Sequence, residues 1–323
     1  ETLYTSGVSE DEIIDYIKNK YPEVRKERQI QEKNLPKIIQ EFGEVKCGIR
    51  NDNLNDTAKD LVRDKSIETL ADLEGKVDML LTDTIRGYIL WQYYNQVTND
   101  LIEHIFNDHA SVIPTLRKIK YVDFMVKVGD KIIPFDLKIT HISDDYFDLF
   151  QKGLSHSNTN ADNYSVSNSS SEIEIIKDHY KKMKKECGLP NYGGLKKIEI
   201  INILKEKGNQ DTQKVLATVV ENRTDMIVEI EKDWKSGEGW NYKYQGERLF
   251  KNNNRFFVFL AYKHSFEDAR PLKGNLKSIS QKVICRLNNI VKGDFNFINY
   301  YYQKDKGLEG EYQVNSTSVL VTD

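Results

Sequence analysis

Cysteine is scarce in this chain: Cys47, Cys187 and Cys285 are the three among 323 residues, far apart, odd in number and without a C-x-x-C pair. Neither a disulfide framework nor a zinc site is supported, and a reducing cytoplasm is the expected setting. Proline is limited to six residues and glycine to 18, which sets aside a collagen-like chain. No apolar run reaches the roughly 18 residues that span a bilayer, and no charged-then-apolar leader is visible, so no membrane partner is expected. Charge of one sign is missing too. The 47 basic and 50 acidic residues leave a net of −3, unlike a histone-type polycation. No GxxxxGK[ST] loop is present, so no translocating ATPase is encoded. No G-x-S-x-G elbow offers a serine hydrolase, and the six histidines form no metal-ligand motif.

What is present reads as a soluble globular chain, with 39% hydrophobic, 11% aromatic and 30% charged residues. Its length suits two domains or one elaborated domain. The near-zero net charge hides an asymmetry. Residues 1–110 hold 14 basic and 22 acidic side chains, a net of −8, whereas residues 241–300 hold 11 and 4, a net of +7. The later segment therefore suits a polyanion, or is a solvated basic face.

The first eighty residues read as helices. Ser9 and Glu12 form a capping box ahead of Ile13, Ile14 and Ile17, and further helices are predicted over 35–44 and 57–81. A longer helix over 83–107 aligns Gln92, Gln96, Asn99 and Glu103 in one polar stripe. The period then changes to two. Residues 121–128 and 131–140 are rich in β-branched and aromatic side chains, and only Gly129-Asp130 separates them, as in a two-residue type II′ hairpin. A Ser/Asn-rich loop over 155–171, helices over 171–186, 195–207 and 211–235, a central strand over 255–262, a helix over 276–291 and strands over 295–302 and 312–321 complete the prediction.

The two-residue loop fixes the hairpin register, with Val128 opposite Lys131 and Asp123 opposite Asp136. Opposed residues share a face, about 4.5–5.5 Å apart at Cβ. Lys138 shares that face because strand side chains repeat every two residues. Val122, Phe124, Val126, Ile133, Phe135, Leu137 and Ile139 make an apolar surface on the other side. Pro134 falls opposite Met125, where its missing N–H costs no bond to that partner. Two carboxylates so close repel each other unless a cation or a proton intervenes. Mg²⁺ suits them, since it takes one or two carboxylates and keeps waters and phosphate oxygens as further ligands. Lys138 then stands where it assists an attacking water or the charge developing on phosphate. The same residues also suit a structural, salt-bridged hairpin.

Val122-Asp123 followed by Asp136-Leu137-Lys138 resembles the PD-(D/E)xK nuclease superfamily, with Val122 where the pattern has Pro. The resemblance covers 83–140 and 255–291 and is closest to Type II restriction endonucleases. It implies a Mg²⁺-dependent phosphodiesterase on an α/β fold, a restriction-endonuclease-like mixed sheet flanked by helices. Asp123, Asp136 and Glu103 would be its metal ligands, with Lys138 as catalytic partner. The implied organisation is a helical N-terminal lobe (1–82), a nuclease core (83–142 with 255–323) and a mainly helical insertion for DNA recognition (143–254). Double-stranded DNA is the implied partner, together with a cognate methyltransferase in the same host. Cutting both strands of a palindrome favours a homodimer.

DNA contacts are expected from Lys181, Lys182 and Lys184 on one helix, and from Lys243, Arg248, Lys251, Asn253 and Arg255 in a stretch that interleaves basic and aromatic residues. Lys and Arg neutralise phosphates, while Asn and Arg read base edges. Two other functions remain open at this level: a catalytically silent nucleic-acid-binding protein, and a structure-specific or RNA nuclease of the same superfamily.

Overall fold

The structure, a computed structural model, describes residues 7–42, 61, 63–64, 66–119, 122–142, 146–147, 172–193, 195, 197–235, 237–244, 254–302 and 307–323. The loop predicted over 155–171 lies outside them, as do residues 43–44 and 57–60 of two predicted helices. The chain divides into two compact units, Glu1–Asn19 with Ile105–Asp323, and Lys20–His104. This differs from the expected boundary at 82/83. The start of the first helix belongs with the sheet, where Asp11 meets Lys127 at 3.0 Å and Lys18 donates to the Ala110 carbonyl.

That first helix, α1 (Glu10–Phe42), begins at the capping box, with Ser9 N–H donating to Glu12 at 2.8 Å and Glu12 N–H donating to the Ser9 hydroxyl. It runs through Leu35, where a separate helix is predicted to begin. In the Lys20–His104 unit, α2 (Leu70–Met79) starts at a second capping box formed by Thr69 and Asp72. A π-helical turn (Leu80–Ile85) joins it to α3 (Arg86–Asn107), so the break expected near Asp83 is absent. The wider turn absorbs a residue without breaking the helix. Tyr21 and His104 share a buried 2.6 Å hydrogen bond inside this unit.

The other unit is built on a six-stranded mixed sheet. Its strands are β1 (Val112–Ile119), β2 (Val122–Val128), β3 (Lys131–His141), β4 (Asn254–Leu260), β5 (Asn296–Tyr302) and β6 (Gly310–Val321), in the order β1-β2-β3-β4-β6-β5. β3, β4 and β6 are mutually parallel, while β1–β2, β2–β3 and β5–β6 are antiparallel. β1 is not foreseen from the sequence, because Pro114 interrupts its pattern. It is an edge strand, where a missing N–H is tolerated. Gly129 takes φ 59° at the first loop position, a left-handed conformation that favours glycine. The observed pairs Val128↔Lys131, Met125↔Pro134 and Phe124↔Phe135 are those the loop length dictates.

Among the described residues, four α-helices lie between β3 and β4 in sequence: α4 (Glu172–Cys187), α5 (Lys197–Lys207), α6 (Gln210–Lys232) and α7 (Glu238–Tyr244). The first three match predicted helices, and the short α7 does not. Gly208 makes the α5–α6 turn: a Cβ there would lie 2.3 Å from the Leu204 carbonyl oxygen. Asn209 then caps α6 by accepting from Thr212 N–H. Ile176, Tyr180, Ile200, Ile201, Leu204 and Val219 give these helices a small core of their own. α8 (Leu276–Ile290) follows β4 and buries Ile279, Val283, Leu287 and Ile290.

The sheet buries both faces. On one, Phe106 from the end of α3 packs on Phe124 at 4.8 Å and edge-on against Phe256 at 4.7 Å between ring centroids. On the other, Phe257, Phe259, Ile298, Val314 and Leu320 meet Met226, Ile227 and Ile230 of α6 and Tyr242 of α7. All seven residues of β4 are buried, as a central parallel strand requires.

Candidate active site

Register places five polar residues in one line across the sheet. The hairpin pairing, continued one step beyond Phe124↔Phe135, brings Asp123 level with Asp136. Asp136 pairs with Arg255, Arg255 with Ser316, and Ser316 with Asn296. Residues level with one another share a face, so this row and Lys138 lie on the face that α6 and α7 cover. A polar row beneath helices is costly unless it is paired internally.

The pairing is close. Lys138 Nζ reaches Asp136 Oδ1 at 2.7 Å, and Arg255 Nε lies 3.5 Å from Asp136 Oδ2. The Asp136 side chain is 4% exposed, that of Lys138 22%, and that of Arg255 not at all. Arg255 is held in turn by α7: Nη1 donates to the Tyr242 carbonyl at 2.9 Å, and its guanidinium lies 4.1 Å over the Tyr242 ring. Asp123 is half-buried, and its Oδ2 accepts the Leu137 N–H at 2.6 Å. The hairpin thus ties one carboxylate to its own backbone and the other to two cations.

Asp123, Asp136 and Lys138 come together as the sequence predicts. Glu103 lies half-buried on α3, in the Lys20–His104 unit. Lys181 and Lys182 are exposed on α4, where Lys181 meets Asp178 at 2.8 Å, and Lys184 reaches Asn191. Lys243 lies in α7. Arg248, Lys251 and Asn253 lie outside the described residues. Arg255 is corrected: expected to contact DNA, it is wholly inside the protein and serves Asp136 instead. Its position was legible, because an Arg leading directly into the apolar run Phe256–Leu260 begins a strand buried on both faces.

The sequence also missed Glu238. On α7, its carboxylate accepts from the Asn296 side chain at 3.2 Å at the far end of the same row. Burial pushes its carboxyl from 4.5 up to about 8, and Ser318, Asn296, Ser316 and the charge of Arg286 offset only part of that rise. Because folding raises this pKa, the folded protein binds the proton more tightly than the unfolded chain. Its stabilising contribution is complete below pH 4.5 and is lost as pH rises towards about 8. Relative to Glu238→Gln, the wild type should lose roughly 2 kcal/mol between about pH 6 and 8. Urea unfolding at the two pH values checks this; parallel behaviour of the two proteins would show that Glu238 does not titrate there.

No cluster of three or more His, Cys, Asp or Glu side chains suited to a metal forms among the described residues. The donor set of the hairpin is therefore its two carboxylates, hard oxygen ligands of the number that Mg²⁺ commonly takes from protein. No protein-family model, no curated protein and no solved structure matches the chain. Among the described residues, no helix is long and apolar enough to cross a membrane.

Proposed function

We propose that this chain is a Mg²⁺-dependent endonuclease of double-stranded DNA, a site-specific restriction enzyme with a restriction-endonuclease-like core. The observation that carries this reading is the placement of Asp123, Asp136 and Lys138 on one face of a hairpin whose second strand runs parallel to the buried β4. Asp123 and Asp136 would hold the metal ion, its remaining positions being taken by water and phosphate oxygens. Bound there, the ion would supply positive charge against the charge developing on the phosphate and would lower the pKa of water. Lys138, partly exposed beside Asp136, orients the attacking water and stabilises charge on the phosphate oxygens. Lys181, Lys182 and Lys184 of α4, together with Lys243, Arg248, Lys251 and Asn253, would contact the DNA. A two-fold homodimer would cut both strands, and a cognate methyltransferase would protect the host.

The expected result is that purified protein cuts unmethylated plasmid or phage DNA into discrete fragments with Mg²⁺ and not with EDTA. Branch-specific cuts, or cutting of RNA alone, would replace the substrate while keeping the chemistry. The close pairing of Asp136 with two cations favours a second reading, a non-catalytic nucleic-acid-binding protein with a structural hairpin. Salt-dependent DNA binding with no metal-dependent cutting across diverse sequences would establish that one.

A further inference from the structure

Among the described residues, four charged side chains of the polar row come together at the hairpin. Asp123 and Asp136 contribute two negative charges, and Lys138 and Arg255 contribute two positive ones. A divalent ion entering this group would leave it with an excess of two positive charges in a partly desolvated place, where Coulomb terms are large.

The two cations differ in their ability to leave. Lys138 is partly exposed and sits on a flexible stem, so it can swing away from Oδ1. Arg255 cannot follow it. Its side chain is fully buried, its guanidinium donates to the Tyr242 carbonyl, and the Tyr242 ring covers it. Asp136 therefore has one oxygen against a permanent cation and one against a removable one.

Building on the nuclease reading, we propose that Arg255 is a fixed counter-cation that weakens metal binding by the Asp123–Asp136 pair, so that the ion is retained only together with a substrate phosphate. The ion enters on the Oδ1 side of Asp136 as Lys138 moves away, while Arg255 holds Oδ2 and with it the direction of the carboxylate. The phosphodiester brings the negative charge that the four side chains lack. Arg255 is thus a positioning residue that acts through Asp136 and makes occupancy of the metal site depend on DNA. Without it, the empty enzyme would hold the ion permanently.

Mn²⁺ titration followed by electron paramagnetic resonance tests this in full-length protein, with and without a short DNA duplex that the enzyme does not cut. In the wild type, the duplex should tighten Mn²⁺ binding by about tenfold or more. Arg255→Gln, which removes the charge, should bind Mn²⁺ about tenfold tighter without DNA and respond less to the duplex. Arg255→Lys keeps the charge and should stay within about twofold of the wild type without DNA. If the Gln variant does not fold, Arg255→Met fills the same buried volume without charge. Equal affinities in the wild type and the neutral variant overturn the proposal. So does a Lys variant that shifts as far as the neutral one, or the absence of Mn²⁺ binding in every protein. Plasmid cleavage by the wild type is scored separately: an enzyme that cuts DNA while Arg255→Gln leaves Mn²⁺ affinity unchanged retains the nuclease function and loses this role for Arg255. A wild type that never cuts loses the nuclease function whatever Mn²⁺ does.

Discussion

Asp123→Asn is expected to reduce Mg²⁺-dependent cleavage by about a thousandfold or more, while leaving the fold nearly untouched. The substitution removes one of the two carboxylates and keeps the shape. Metal ions contribute several kcal/mol of charge stabilisation to such reactions, and each 1.36 kcal/mol is about a factor of ten in rate. The fold survives because Asn Oδ1 still accepts the Leu137 N–H that Asp123 Oδ2 accepts now, a change worth about 1 kcal/mol or less. Asp136 is a less clean target. Its removal also leaves Arg255 buried without that counter-charge, so loss of activity there mixes with loss of stability. Single-turnover cleavage and thermal unfolding of Asp123→Asn together provide the check. Unchanged cleavage would eliminate the hairpin as the catalytic site, and a collapse of stability would assign Asp123 a structural role.

Phe256→Ala should destabilise the protein by about 3–5 kcal/mol. Phe256 is wholly buried on β4, edge-on to Phe106 at 4.7 Å and to Phe124 at 6.2 Å. It thereby joins the last turn of α3, the β2–β3 hairpin and the central strand in one aromatic cluster. Truncation removes the transfer energy of the ring, its edge-on contacts and the close packing around it, and a central strand between two others has little freedom to collapse into the space. Urea unfolding measures the loss through the midpoint at constant slope. A loss below about 1 kcal/mol would mean that the sheet relaxes around the cavity.

The hairpin shows how much was legible in the sequence. Its register follows from two residues, Gly129 and Asp130, together with the apolar alternation on either side, and this local information suffices to bring Asp123 level with Asp136. The α8 helix and the uniformly apolar β4 were legible for similar reasons, since each announces its own period. The failures have a different cause. β1 was hidden by Pro114, tolerable only because the strand sits at an edge. The break expected at Asp83 was bridged by a π-helical turn, and α7 is too short to show a period.

Composition and local spacing by themselves determined the α/β class of the chain, most of its helices and strands, and the two carboxylates and lysine on one face. Only the tertiary structure decided what surrounds them. That Arg255 lies beside Asp136 depends on parallel pairing between strands more than a hundred residues apart, and that Tyr242 fixes Arg255 while Glu238 lies buried at the other end of the same polar row depends on how α7 packs on the assembled sheet. Such pairing has no turn to set its register. It is chosen by burial of both faces at once, a property of the assembled sheet and not of any one segment.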